Sequence, residues 1–228
     1  MISRRKFLQW FASLGAVGAA AAGYGLLFEP LMRLRIARYN LQPRQWPRGF
    51  ELKIAALSDL HACRPWMDAG RIASIVRETN ALGADLVLLL GDYVNGLDRR
   101  YIFGTLDPDE WSKPLAELRA PLGVHAILGN HEWWEDRQVL GGGMGPPDAR
   151  RALEAAGIPV YENDAVQLSK AGRKFWLAGL GDQLAFALSR HRRTGQRIGI
   201  DNLPGTLAKV TDDAPIILMA HEPDIMPQ

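Results

Sequence analysis

Six side chains that could bind a metal ion or transfer a proton follow apolar stretches of the sequence, at points where buried strands would end. They are Asp59, His61, Asp92, Asn130, His131 and His221. Carboxylate, amide and imidazole groups form a mixed ligand set that suits Mn, Fe, Zn and similar divalent ions. Each residue alone has an ordinary explanation, because Asp often forms turns and a single His is usually hydrogen-bonded within the fold. Their recurrence as Asp-x-His, Gly-Asp and Gly-Asn-His favours one shared metal centre.

Short apolar runs that alternate with helical patterns must position these residues. Strands are predicted over 33–41, 53–57, 85–90, 124–128, 159–163, 165–169, 174–180 and 214–220, and helices over 69–82, 111–118 and 149–156. This alternation predicts βαβ units in an α/β fold, and the uninterrupted runs predict strands that are covered on both faces. Ligands bind at the carboxyl ends of the strands in open α/β sheets, which is where the six residues fall.

Composition sets the broad class of the protein. The chain has 228 residues, of which 47% are hydrophobic, enough for one sizeable core. The formal net charge of +2 gives no global support for nucleic-acid binding, and we expect no nucleic-acid partner. A single cysteine, Cys63, excludes an intrachain disulfide framework.

The N-terminus resembles a twin-arginine export signal. Arg4 and Arg5 precede Phe7 and Leu8, and the stretch 7–28 is uncharged and rich in Ala and Gly. The alternative is a plain membrane anchor, since the stretch is long enough to span a bilayer. We therefore predict a signal or anchor over 1–29 and a second domain over 30–228. The twin-arginine export machinery would be a partner, and the protein would lie in the periplasm or on the outer face of the inner membrane.

Together the motifs resemble the calcineurin-like metallophosphoesterase superfamily, and with the export signal they resemble its exported bacterial phosphodiesterases. The resemblance covers the chain from about Lys53 onward and implies a layered α/β/β/α sandwich, two divalent ions (Mn, Zn, Fe or Mg) and a phosphoester substrate. In that scheme Asp92 bridges the two ions. Asp59 and His61 complete the first ligand set, and Asn130 and His221 complete the second. His131 would face the leaving group or a phosphate oxygen.

A Gly-His-x-His motif that the family carries after the position of His221 is absent from this sequence. Each ion would then have three protein ligands, and we expect the domain to be truncated at its C-terminus. The leading hypothesis is a metal-dependent phosphodiesterase at the cell envelope, with a lipid-linked substrate as one option. The alternatives are a phosphomonoesterase of the same superfamily and an envelope-anchored protein that binds metal or phosphate without turnover.

Several nearby residues have weaker claims on the site. Cys63 is expected to be a free thiol and Glu132 a partner of His131 or a loop residue. Asp182 follows another strand and could touch the site, although a turn residue is the preferred interpretation. Trp133 and Trp134 could line a substrate wall or simply pack. The Gly-rich stretch 141–145 is expected to be a mobile loop, and two further histidines, His125 and His191, do not occupy ligand positions.

Overall fold

The computed structural model describes residues 3–28, 33–44, 46–94, 104–140, 145–186 and 199–225. The chain forms two compact units, Met1–Asn40 and Leu41–Gln228. The first unit contains helix α1 (Arg4–Gly23), which the hydroxyl of Ser3 caps by accepting a hydrogen bond from the backbone N–H of Lys6. A π-helical turn, Tyr24–Phe28, follows it. Within the described ranges, no helix combines the length and the apolar character needed to cross a membrane.

The strand predicted over 33–41 is not formed, so this prediction is wrong. Residues 33–41 have neither helical nor strand structure, and all of them are exposed. An alternating pattern becomes a strand only when a partner strand supplies hydrogen bonds and a core covers one face. Among the described residues this segment has neither, so its alternating sequence does not form a strand.

The first sheet of the second unit carries the strands that lead to the candidate ligands. It consists of β1 (Ile54–Leu57), β3 (Leu86–Leu89) and β5 (Val124–Ala126), all parallel, with β3 in the centre. All four residues of β3 are buried, as its unbroken apolar sequence predicts. A two-stranded antiparallel ribbon, β2 (Cys63–Arg64) with β4 (Gly104–Thr105), was not predicted from the sequence.

Helices cover one face of this sheet. They include α2 (Ala69–Ala81), which is capped by Asp68, α3 (Pro108–Leu115) and α6 (Asp148–Ala155), and all three agree with the predicted helical segments within a few residues. Two short helices between them, α4 (Asn130–Trp134) and α5 (Arg137–Leu140), were not predicted because neither is long enough to show a helical period.

The second sheet contains β6 (Asp164–Lys170), β7 (Arg173–Gly179) and β8 (Ile216–Met219). β6 and β7 are antiparallel and joined by a tight turn, whereas β8 pairs with β7 in parallel. The strand predicted over 159–163 is reduced to a single bridge between Val160 and Ala126, and the extended run ends at Asn163, whose φ is 52°. The short helix α7 (Leu203–Leu207) packs near β6 and β7.

Two hydrophobic clusters separate these layers. Val87 and Leu89 of β3 belong to the cluster formed with the helices, whereas Leu86 and Leu88 belong to the cluster that contains Phe175 and other residues of the second sheet. Alternate residues of one strand therefore fill both cores. The result is a layered α/β sandwich, which confirms the predicted fold class.

Candidate metal centre

The candidate ligands converge where the strands of the two sheets end. Asp59 and His61 follow β1, Asp92 follows β3, and His221 follows β8. The Oδ2 atom of Asp92 lies at the centre of the group. The Nε2 atoms of three imidazoles surround it, at 3.6 Å for His61, 3.9 Å for His131 and 3.4 Å for His221.

These separations fit ligands that share a cation better than they fit hydrogen bonds. Two donor atoms on a tetrahedral ion, each about 2.1 Å from it, lie roughly 3.4 Å apart. The side chain of Asp92 is only 5% exposed, so its carboxylate cannot rely on bulk water. The residues present therefore suit divalent ions of the kind that oxygen and imidazole ligands bind.

The ligand atoms fall into two sets that share Asp92. One contains His61, Asp92 and His131, and the other contains Asp59, Asp92 and His221; within each set all ligand atoms lie within 4.8 Å of one another. A carboxylate common to both sets is the arrangement that a bridging ligand needs. Asp59 and His61, which the prediction assigns to one ion, are themselves close, with Oδ1 and Nε2 3.8 Å apart.

The remaining predicted ligand, Asn130, is buried and is the first residue of α4. The predicted division of residues between two ions, like the predicted role of His131, stays a prediction.

Left-handed backbone conformations aim the acidic and imidazole side chains at the site. Asp59, His61 and Asp92 have φ values of 56°, 45° and 58°, although none of them is glycine. Such conformations cost free energy and persist only where the surrounding structure holds them. Here the two loops brace each other, since Asp59 N–H donates to the carbonyl of Gly91 (3.1 Å) and His61 N–H donates to that of Asp92 (2.9 Å).

Glycine is required in the loops after β3 and β5, at the point where they approach each other. A Cβ on Gly91, whose φ is +98°, would lie 2.4 Å from the backbone nitrogen of Gly129. A Cβ on Gly129 would lie 2.4 Å from Oδ1 of Asp92 and 2.9 Å from Cε1 of His221. The glycines of the Gly-Asp and Gly-Asn-His motifs therefore let the loops after β3 and β5 approach closely.

Glu132 holds the loop after β3 in place. Its carboxylate accepts four backbone N–H groups: Oε2 from Asp92 (2.9 Å) and Gly129 (2.7 Å), and Oε1 from Tyr93 (2.8 Å) and Val94 (3.1 Å). Burial raises the pKa of Glu132 to about 7 and the charge of Asp92 acts in the same direction, while the N–H donors oppose them. The sequence suggested a partner of His131, and the structure instead gives Glu132 a role in shaping the backbone.

Backbone carbonyls fix the orientation of two of the histidines. The Nδ1–H of His61 donates to the carbonyl of Val94 (3.1 Å), and that of His221 donates to the carbonyl of Leu90 (2.8 Å). In a neutral imidazole this leaves Nε2 as the free electron pair that a metal ion requires. Both rings thus present Nε2 toward Asp92.

Asp92 and His221 dominate the electrostatics of the site. Burial alone would raise the pKa of Asp92, but the nearby imidazole of His221 outweighs it and holds that pKa below its usual value. Burial would lower the pKa of His221, yet Asp92 raises it to about 9. Burial lowers the pKa of His131.

Several other predictions can be placed. Cys63 is a buried free thiol, as expected, and belongs to none of the metal-capable groups found among the described residues. Both ring nitrogens of His125 are used within the fold, by the carbonyl of Leu122 and the hydroxyl of Tyr161. His191 and most of the Gly-rich stretch, residues 141–144, lie outside the described residues.

The tryptophans of the Gly-Asn-His-Glu-Trp-Trp segment pack against the protein. Trp133 is buried and its ring meets that of Phe186 edge-on. Trp134 is half-buried, donates from its indole N–H to the carbonyl of Leu184, and contacts the ring of His131 at a centroid distance of 5.1 Å. Trp134 therefore packs against one side of the His131 ring.

Asp182 and Glu222 join the site although the sequence did not mark them as ligands. Ligand atoms of Asp182, His221 and Glu222 all lie within 4.8 Å of one another. Burial raises the pKa of Asp182 to about 7, opposed by its hydrogen bond from Leu184 and by the charge of His221. The available signal was the position of Asp182 after an apolar strand, which a turn explains equally well.

The amino-acid sequence is similar to a known protein family and to several individual proteins. The family model described as calcineurin-like phosphoesterase matches residues 52–225. An uncharacterized metallophosphoesterase of Aquifex aeolicus is 30% identical over 192 residues, covering 84% of this chain and 63% of the relative. Phosphodiesterase YaeI of Escherichia coli is 34% identical over 197 residues, covering 80% and 62% respectively.

An uncharacterized metallophosphoesterase, YkuE, of Bacillus subtilis is 28% identical over 229 residues, covering 98% of this chain and 70% of the relative. The aligned part of this chain thus spans less than two thirds of the Aquifex and Escherichia relatives and slightly more of the Bacillus one.

Proposed function

The chain belongs to the calcineurin-like phosphoesterase family, and we propose that it is a metal-dependent phosphodiesterase that uses two divalent ions. The observation that carries the proposal is the convergence of three imidazole Nε2 atoms on one buried oxygen of Asp92. Two ligand sets that share this carboxylate support sites for two ions, with Asp92 contributing to both.

The chemistry of such a pair is to polarise a phosphoryl group and to supply a nucleophile at neutral pH. In our proposal Asp92 bridges the ions, Asp59 and His61 contribute to the first, and Asn130 and His221 contribute to the second. His131 donates a hydrogen bond or a proton to the leaving oxygen, where charge develops. Trp134 keeps the ring of His131 in position through their edge contact.

We also propose an envelope location and an envelope phosphodiester as the substrate, with a lipid-linked ester as one option. Arg4 and Arg5 at the start of α1 support export by the twin-arginine route. The apolar side chains of α1 are exposed, among them Phe7, Trp10 and Phe11, which supports contact with the export machinery or a lipid surface. The formal charge of +2 supports a substrate other than nucleic acid.

Hydrolysis of bis(p-nitrophenyl) phosphate with Mn²⁺, Zn²⁺, Fe²⁺ or Mg²⁺ tests the activity. We expect turnover that Asp92→Asn lowers by more than about 100-fold, the upper range for groups that merely support a metal ligand. Oδ1 of Asp92 accepts a hydrogen bond from the backbone N–H of His131 at 3.1 Å. Asn keeps this acceptor, so the variant should fold.

The control is Asp164→Asn, the same chemical change at a half-exposed residue paired with Lys209. Turnover of p-nitrophenyl phosphate in preference to the diester would favour the phosphomonoesterase. Metal binding without turnover of either ester would replace the proposal with the binding-protein alternative. Undiminished activity of Asp92→Asn would refute the bridging role.

A further inference from the structure

One buried carboxylate oxygen beside the metal centre has no partner. Asp182 follows β7 and is only 3% exposed. Its Oδ1 accepts a hydrogen bond from the backbone N–H of Leu184 at 2.8 Å, and its main-chain carbonyl accepts one from Ile200 at 2.9 Å. Its Oδ2 is buried and accepts no hydrogen bond from any residue that the structure describes.

The neighbours of this oxygen are metal-competent groups. Asp182, His221 and Glu222 place one ligand atom each within 4.8 Å of the others. No ion pair involving Asp182 is formed among the described residues, and the nearby Glu222 carries charge of the same sign. Two carboxylates this close disfavour each other's ionised form unless a cation lies between them.

His221 cannot supply the missing proton donor. Its Nδ1–H donates to the carbonyl of Leu90 at 2.8 Å, and its Nε2 faces Oδ2 of Asp92 at 3.4 Å. Both ring nitrogens are therefore committed elsewhere. A buried carboxylate oxygen without a hydrogen-bond donor needs another positively polarised partner, and a divalent cation can supply it.

We propose that Asp182 is a further metal ligand of this centre and that, with Glu222, it binds the divalent cation held by His221. This inference rests on the proposed function, because His221 is one of the residues assigned there to the second ion. Asp182 would add an anionic oxygen to a ligand set otherwise made of Asp92, Asn130 and His221. Ions that favour oxygen ligands, such as Mn²⁺, would gain most from it.

Direct metal binding to the metal-free 228-residue chain tests the proposal. Isothermal titration with Mn²⁺ should show at least tenfold weaker binding at one class of site in Asp182→Asn than in the wild type, with the other class unchanged. The Asn Oδ1 can still accept from Leu184 N–H, so the turn should be preserved. Asp164→Asn should bind Mn²⁺ like the wild type.

Thermal melting separates ligation from a structural role. Without Mn²⁺, Asp182→Asn should melt no lower than the wild type, because Asn keeps the acceptor for Leu184 N–H and buries no charge. With saturating Mn²⁺ its gain in melting temperature should be smaller than that of the wild type. Glu222→Gln, at a partly exposed side chain, should also weaken one class of site and serves if Asp182→Asn fails to fold.

The outcomes separate this inference from the function it rests on. Wild-type Mn²⁺ affinity in both Asp182→Asn and Glu222→Gln, with binding lost in Asp92→Asn, would overturn the role of Asp182 alone and identify it as a protonated buried carboxyl. A wild-type chain that binds no Mn²⁺, Zn²⁺, Fe²⁺ or Mg²⁺ would overturn both the proposed function and this inference.

Discussion

Glu132→Gln should weaken the protein and its metal site together. The carboxylate of Glu132 accepts backbone N–H groups from Asp92, Tyr93, Val94 and Gly129. A Gln side chain keeps one oxygen, so two of the four donors lose their acceptor and meet an NH₂ group instead. A buried donor without a partner costs about 1–3 kcal/mol, which gives a loss of roughly 2–6 kcal/mol for two.

The lower part of that range is the better expectation, because Gln no longer buries a charge. Even about 2–3 kcal/mol is a large fraction of the 5–15 kcal/mol by which a typical domain is stable. The loss should come with weaker Mn²⁺ binding, since the same hydrogen bonds hold the backbone of Asp92 in its left-handed conformation.

Urea unfolding of the metal-free protein, followed by tryptophan fluorescence, measures the effect. Glu135→Gln is the matched control, because Glu135 is a nearby exposed residue on the same segment. The control should lie within about 0.5 kcal/mol of the wild type. If the unfolding free energy and the Mn²⁺ affinity of Glu132→Gln also matched those of the wild type, then the four hydrogen bonds would not determine the shape of the loop.

Two further predictions concern the approach of the loops and the entry to β1. Gly129→Ala should lower the Mn²⁺ affinity measured by calorimetry at least tenfold, because its Cβ would overlap Oδ1 of Asp92. Gly18→Ala in α1, where a Cβ meets no other atom, should leave the affinity unchanged. Equal affinities in the two variants would contradict the steric argument. Asp85→Asn should cost about 1–2 kcal/mol at pH 7 in urea unfolding, because Asp85 accepts from Lys53 N–H (2.7 Å) and Lys170 Nζ (2.6 Å). Burial would raise the pKa of Asp85, but Lys170 and Lys53 lower it, so the carboxylate stabilises the fold above the ordinary pKa of 3.8 and this stabilisation is lost as pH falls below that value. The free energy of unfolding of the variant should therefore approach that of the wild type in the acidic range. A difference in unfolding free energy that does not change with pH would refute the ionic explanation.

The sequence predicted the parts of the fold that depend on local pattern. β3 and α2 were recognisable because their apolar runs match the periods of a buried strand and an amphipathic helix. The segment 33–41 shows the limit, since its alternation resembles a strand but its side chains are all exposed. Likewise, nothing local indicates that Val160 would pair with Ala126 for only one bridge.

The candidate site was predictable to the extent that strand ends meet at one edge of a sheet. Asp59, His61, Asp92, His131 and His221 do come together. The left-handed conformations of three of them were not predictable, because non-glycine residues rarely adopt these and long-range hydrogen bonds impose them. The role of Glu132 was hidden for the same reason, since its four donors include three that lie about forty residues earlier in the chain.

The strand β3 fills both hydrophobic clusters with alternate side chains and leads directly to Gly91 and Asp92. Its amide protons should therefore exchange with solvent only when the whole domain opens, and they should be among the last in the chain to do so. The carboxylate at the centre of the site is tethered to this slowest-exchanging segment. Asp59, whose side chain is exposed, should therefore fluctuate more than the buried Asp92.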